Sequence, residues 1–336
     1  MVPPELMRAV TDAPARRDGR YGPNAGQSAL RARIAQEYGV PAERVIVTTG
    51  VQQALALSLF GVVNPGDDVL VPDPGFPTYA TLARLAGGRS VGYRLREEDD
   101  FRTTVEVLEE AVTPASRVLV LASPSNPTGA VQTPEEWEAI VGWARARGLW
   151  VVSDEIYAAF AGEGAHGSAL HVWDDALVAR GLSKSHAIAG WRCGWLIVPE
   201  RFASRFVGLQ QNLVTCASSL VQDAALAAFT GAGQRASSAI VATIARRQAQ
   251  TVAQLRGEGW RVAGSRGGLF VWARWPGVDD CLAFATACAR EHGVVVVPGV
   301  GFGEGGRGWL RISCGALDEP LAQGCARLSA AARALA

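Results

Sequence analysis

The chain predicts an α/β protein: a largely parallel sheet held between helices, followed by a smaller α+β lobe. Two observations lead to that class. From about residue 44 to 200, short β-branched runs alternate with helical periodicity, the pattern of βαβ units whose strands run parallel. From about Gly231 the order changes to one long polar–apolar helix and then short strands. A boundary is expected near residue 235, which divides the chain into a large domain, 1–235, and a small one, 236–336.

Bulk properties narrow the function. A chain of 336 residues has room for two lobes, and with 49% hydrophobic and 19% charged residues it packs a core. Formal charge is +0 and the basic residues are scattered, which argues against nucleic acid or an anionic membrane as the main partner. No apolar run approaches the roughly 20 residues needed to span a bilayer. Nothing in the first residues has the form of an export signal. The 6 cysteines (193, 216, 281, 288, 314, 325) hold no Cys-x-x-Cys pair and read as reduced thiols of a cytoplasmic protein. His166, His171, His186 and His292 never reach a metal-ligand spacing, so no metal is expected.

Taken in order, the first strand is expected at 44–49, ending on Gly50 and followed by a helix at 52–60. A second, 68–72, closes on Asp73-Pro74-Gly75, and a third, 116–121, runs into the turn Ser123 to Gly129. Thr133, Pro134 and Glu136 then form a capping box, and Trp137, Ile140, Val141 and Ala144 the apolar stripe of the helix it opens. The run 149–153 has no polar interruption before Ser153, as a strand buried on both faces should. A fifth strand is expected at 176–182. The small lobe should hold a helix at 236–258, strands near 268–273, 294–297 and 309–313, and a helix near 281–290. Gly301-Phe302-Gly303-Glu304-Gly305-Gly306 formally matches a dinucleotide fingerprint. That motif needs a helix next, and 308–313 is strand-like, so a glycine-rich hairpin or loop is expected instead.

The run Gly181 to Trp195 says most about chemistry. Lys184 lies between Ser183 and Ser185, and Arg192 follows within Gly-Trp-Arg-x-Gly. A lysine in a tight turn at the edge of a sheet can form an imine with an aldehyde. An arginine's planar fork can hold a phosphate. An aldehyde and a phosphate on one small molecule describe pyridoxal 5′-phosphate. Ligands of open parallel sheets bind beyond the carboxyl ends of the strands, and the unusual residues sit there. Gly50, Val51 and Gln52 open a helix whose N–H groups can cradle a phosphate. Phe76 can lie on an aromatic ring. Asp154 suits a partner of the pyridine nitrogen, with Tyr157 and Asn126 as donors to the ring oxygen. Lys184 suits the proton shuttle between substrate Cα and the cofactor's C4′.

These residues in this order resemble the class I/II aminotransferases among the fold-type I pyridoxal-phosphate enzymes. The matching motifs are Tyr21…Gly26…Leu30-Arg31, Thr49-Gly50-Val51-Gln52-Gln53-Ala54-Leu55, Pro72-x-Pro74-Gly75-Phe76-Pro77-x-Tyr79, Ser125-Asn126-Pro127-Thr128-Gly129, Ser153-Asp154-Glu155-Ile156-Tyr157, the Lys184 to Gly194 run, Pro298-Gly-x-x-Phe302-Gly303 and Leu310-Arg311-Ile312-Ser313. The resemblance covers nearly the whole chain and implies a mostly parallel, seven-stranded type of sheet. It makes Lys184 the imine lysine, Asp154 the nitrogen partner and Phe76 the stacking ring. Arg192, with the backbone of Gly50, Val51 and Gln52, would hold the phosphate. Arg311, with Asn126 nearby, would bind the substrate α-carboxylate, and Tyr21 would reach the phosphate of a second subunit in a homodimer with shared sites.

Two departures stand out. The family's substrate-covering segment precedes the Tyr21 motif, so residues 1–20 are expected as a shortened N-terminal segment. Either that cover is missing or the natural start lies further upstream. Three positions before the lysine, where a phosphate-binding serine is usual, stands Gly181; Ser183 is the candidate to compensate. The leading expectation is transamination between an amino acid and a 2-oxo acid. The segment 210–222 has no basic residue to pair a side-chain carboxylate, which favours neutral or aromatic amino donors. The alternatives are a carbon–sulfur β-lyase or other Cα chemistry on the same cofactor, and a non-catalytic ligand-binding or regulatory protein.

Overall fold

A computed structural model describes residues 2–16, 19–162, 167–264 and 267–335; His166 therefore lies outside the described residues. The large lobe is built on a seven-stranded sheet: β1 (Val45–Thr48), β2 (Asp68–Asp73), β3 (Arg89–Arg94), β4 (Ser116–Ala122), β5 (Trp150–Asp154), β6 (Leu177–Gly181) and β7 (Gly194–Ile197). Their order is β1-β7-β6-β5-β4-β2-β3. All pairings are parallel except those of β7, which is antiparallel to both β1 and β6. Successive residues of the strands feed opposite layers. Val45 and Val47, Leu119 and Leu121, Val151 and Ile197 enter one core; Ile46, Val118 and Val120, Val152 and Leu196 enter the other. The helices packed on the two faces complete those cores, Val51–Val62 on one and Pro134–Ala146 on the other. The expected mostly parallel α/β sheet flanked by helices is thus present.

The helix at Pro134–Ala146 has the expected cap. Thr133 Oγ1 accepts the Glu136 N–H, and Glu136 Oε2 accepts the Thr133 N–H at 2.9 Å. Its stripe of Trp137, Ile140, Val141 and Ala144 is buried. Strand β3 escapes the sequence reading because it is an edge strand, with Arg89 and Arg94 in solvent and only Tyr93 turned fully inward.

The small lobe carries a four-stranded sheet, order β10-β11-β9-β8, from β8 (Arg261–Val262), β9 (Phe270–Arg274), β10 (Val297–Pro298) and β11 (Leu310–Ser313). Its pairs are antiparallel. Leu255, Val271, Phe284, Leu310, Ile312 and Leu328 form a separate core there. Two expectations shift. The helix set at 236–258 begins earlier, as Gly231–Gly257, because Thr230 caps it through the Gly233 N–H. The strand set at 294–297 pairs only at Val297 and Pro298. The preceding valines leave Gly293, itself in the left-handed region, with Val295 exposed, so that run lacks a ladder. Residues 301–306 form two short turns that lead into β11, with no helix following.

Removing the cap hydroxyl with Thr133→Ala should lower unfolding stability by about 1 kcal/mol, read from urea denaturation, with no change in turnover.

Candidate active site

Strands β1, β2, β4, β5 and β6 all end on one rim of the sheet, and antiparallel β7 begins there: Gly194 pairs with both Thr48 and Gly181. The rim therefore collects the residues after five strands and those before a sixth. They line a cavity of about 360 Å³. Val51, Gln52, Phe76, Asn126, Asp154, Tyr157, Ser183, Lys184, Arg192 and Arg311 all reach it. Of the other candidates, Gly50 lies just behind the wall against Arg192. Tyr21 is not among the residues lining it and is 86% exposed.

Gly50 has φ 85, and a Cβ on it would fall 2.4 Å from Arg192 Nη2. Only glycine lets that guanidinium lie across the start of helix Val51–Val62, whose N-terminus has no side-chain cap. Arg192 is itself left-handed (φ 60), donating from Nη1 to Ala189 O at 2.9 Å and from Nη2 to Thr49 O at 3.3 Å. At Gly181 a Cβ would stand 2.6 Å from Cys193 O and 2.8 Å from Gly194 Cα. The close approach of β6 and β7 thus leaves no room for a serine at that position. Within this turn, buried Ser183 brings a hydroxyl to the cavity wall.

Asp154 ends β5 and is 5% exposed. Its Oδ2 accepts the Tyr79 hydroxyl at 2.7 Å and its Oδ1 the Ile156 N–H at 3.1 Å. Burial pushes its carboxyl up to about 6, against the opposing pull of those two bonds and of Lys184. Lys184 is shifted the other way. Burial lowers its pKa, and the positive charges of Arg311 and Arg192 lower it further, while Asp154 opposes them. Tyr157 is buried edge-on to Phe270, and burial raises its phenol well above the usual range, so it keeps its proton. Arg311, on β11, donates from Nη1 to Asn126 Oδ1 at 2.8 Å. Its guanidinium lies 4.2 Å from the Phe270 ring and 4.9 Å from that of Phe302. Its Nε is buried with no partner among the described residues.

The sequence reading missed the contacts of Tyr79 and Phe270. Tyr79 was legible in principle, three residues after Phe76 on the first turn of helix Thr78–Leu85. Phe270 carried no signal beyond strand periodicity. The donor set fits pyridoxal phosphate. A buried carboxylate can face a ring nitrogen, an amine of lowered basicity stands beside it, and an arginine lies across an uncapped helix start. The orphaned Nε of Arg311 remains for an acid group. No group of three metal-capable side chains occurs among the described residues.

The profile of the class I and II aminotransferases matches residues 1–328, and the chain belongs to that family. It is accordingly a pyridoxal-phosphate-dependent aminotransferase. An aspartate aminotransferase of Streptomyces avermitilis is 36% identical in an alignment of 333 positions, gaps included, that covers 92% of this chain and 80% of that protein. An arginine–pyruvate transaminase of Pseudomonas aeruginosa is 32% identical in an alignment of 344 positions, gaps included, that covers 99% of this chain and 87% of its own. Among solved structures, an aromatic aminotransferase from Pyrococcus horikoshii superposes with a TM-score of 0.94 at 30% identity, covering 100% of this chain and 94% of its own.

The raised Asp154 pKa has a thermodynamic consequence for the cofactor-free protein. An acid whose folded pKa (about 6) exceeds the ordinary value of 3.8 holds more protons when folded, so its contribution to stability is lost as pH rises through that window. Asp154→Asn should flatten that loss and raise apoprotein stability at pH 7 by about 1–3 kcal/mol, measured by unfolding across pH.

Proposed function

We propose that Lys184 Nζ bonds the cofactor aldehyde, and that the enzyme moves an amine from a neutral or aromatic amino acid to a 2-oxo acid. The carrying observation is the convergence of Lys184, Asp154, Asn126, Tyr157, Arg192 and Arg311 on one cavity from five different strands. Pyridoxal phosphate supplies an electrophilic carbon for the amine and a ring that takes up the electron pair released at Cα. Every other part belongs to the chain. Arg192 and the Val51 and Gln52 N–H groups bind the phosphate, and Phe76 lies against the ring. Asp154 keeps the ring nitrogen protonated, with Tyr79 fixing the carboxylate. Tyr157 and Asn126 donate to the ring oxygen. Lys184, freed when the substrate amine displaces it and made less basic by burial and two neighbouring arginines, would carry the proton from the substrate Cα to the C4′ carbon.

Arg311 binds the α-carboxylate, oriented by Asn126 and the Phe270 ring. The donor preference rests on the cavity lining. Among the described residues its cations are Lys184, Arg192 and Arg311, each with a part already, and Leu55, Ile156, Leu269 and Phe270 supply apolar wall. No further cation is left to pair a second substrate carboxylate. We take the active unit to be a homodimer in which Tyr21 reaches the phosphate of a second copy, a role that its exposed ring suits. The unpaired cysteines fit a reducing, cytoplasmic setting. None of the described helices is long and apolar enough to cross a membrane. Residues 1–235 and 236–336 serve as the cofactor-holding and substrate-closing domains.

Adding phenylalanine or a neutral amino acid to the holoenzyme should convert the absorbance near about 420 nm to one near about 330 nm. If aspartate alone does so, the donor assignment fails. Lys184→Ala should abolish the longer-wavelength band and lower turnover by at least roughly a thousandfold; retained activity removes Lys184 from its role. Arg311→Ala should raise KM for amino and oxo acid together by about 10- to 100-fold, since a carboxylate contact exists before and during reaction. A loss confined to kcat would place Arg311 elsewhere in the chemistry.

A further inference from the structure

The glycine-rich loop between β10 and β11 takes no part in the chemistry above, yet it closes over the turn that carries Phe76. Asp73, the last residue of β2, accepts the Gly305 N–H through Oδ1 at 2.7 Å, while its Oδ2 stands 3.4 Å from Arg94 Nη1. Two residues on, the Gly75 N–H donates to Phe302 O at 2.8 Å. The fit leaves no space for side chains. A Cβ on Gly303, which has φ 117, would lie 2.3 Å from Asp73 Oδ1, and one on Gly305 would lie 2.5 Å from Asp73 O. Gly303 and Gly305 of the false dinucleotide motif therefore lie directly against the end of β2.

That contact continues into the site. Phe302, at the centre of the loop, is buried against Trp272 with ring centroids 5.9 Å apart, and the Arg311 guanidinium lies 4.9 Å from the Phe302 ring. The loop is thus bonded to the Asp73–Phe76 turn through Gly305 and Phe302, and packed on Arg311 through the Phe302 ring. An N–H bond to a carboxylate is among the stronger single contacts available to such a loop.

We propose that Asp73 is a positioning residue for the reaction. Its carboxylate latches the glycine loop to the end of β2 and so sets the spacing between Arg311 on the small lobe and the Phe76 face of the large one. The claim rests on reading Arg311 as the carboxylate clamp. Asp73 itself is outside the cavity and touches no reacting group. Without the latch, the loop and the Phe302 ring gain freedom, and Arg311 meets the substrate carboxylate less often in the right place.

The test uses the holoenzyme and four variants: Asp73→Ala, Asp73→Asn, Gly303→Ala and Arg311→Ala. KM and kcat are measured for donor and acceptor. The dissociation constant of phenylpropanoate, a carboxylate with no amine to transfer, is measured by calorimetry. Asp73→Ala should raise both KM values and the dissociation constant by about tenfold, with kcat within about threefold. Gly303→Ala, whose methyl would displace the same carboxylate from the small-lobe side, should do likewise. Asp73→Asn keeps an acceptor oxygen and should stay within about threefold of the parent. Loss of kcat or of stability at unchanged KM and unchanged phenylpropanoate binding, in Asp73→Ala and Gly303→Ala, overturns the proposal. Arg311→Ala separates the two levels. If it leaves phenylpropanoate binding intact, the clamp reading fails. If it weakens binding while the Asp73 and Gly303 variants do not, the latch alone fails.

Discussion

A carboxylate held almost out of water at the end of β5 is the constraint on which the rest of the site depends. Asp154 is costly to ionise where it lies, and the chain answers with a tyrosine hydroxyl, a backbone N–H and a lysine. The same cavity gathers Lys184, Arg192 and Arg311, and the two arginines add to burial in lowering the lysine's affinity for a proton. Such an arrangement is unfavourable in the empty protein and suits a ligand that brings the missing charges. In the proposed reading a phosphate answers Arg192, a protonated heterocycle answers Asp154, and a substrate carboxylate answers Arg311. The electrostatics of the cavity are complementary to its load.

Topology makes that convergence possible. Parallel strands deliver their following residues to one edge, and the single antiparallel strand, β7, brings a preceding residue to the same edge. Arg192 could not join the residues after β1, β5 and β6 if β7 ran the other way. The price is steric: Gly50, Gly181 and Gly194 stand where any side chain would strike a neighbouring backbone or the guanidinium. Gly181 shows the exchange most clearly, because the room that a serine would need is taken by the backbone before β7.

The small lobe contributes in a different way. Its sheet holds Arg311 over Phe270 and Phe302, and its glycine loop seats on the turn after β2. The aromatic cluster of Trp272, Trp309, Phe101 and Phe302 gives the clamp a rigid backing that reaches into the large lobe through Phe101. The small lobe, with a core of its own around Leu255 and Leu328, is thereby joined to the large one at the site.

Much of this was legible in the chain. Strand runs, the Thr133 capping box and the punctuation at Gly50, Pro74 and Pro127 are local, and local patterns report local backbone preferences. The order of strand ends brings Phe76, Asn126, Asp154 and Lys184 to one edge, and Arg192 follows in the same run as Lys184. Edge strand β3 stayed hidden because an edge needs few apolar residues. The valines at 294–297 misled because β-branched character does not supply a partner. Tertiary structure alone decided that Tyr79 bonds Asp154 across 75 residues, that Asn126 orients Arg311 across 185, and that Asp73 holds Gly305 across 232. Composition and periodicity carry no information about such pairs, because each is created by two elements meeting in space and neither element needs the other to form.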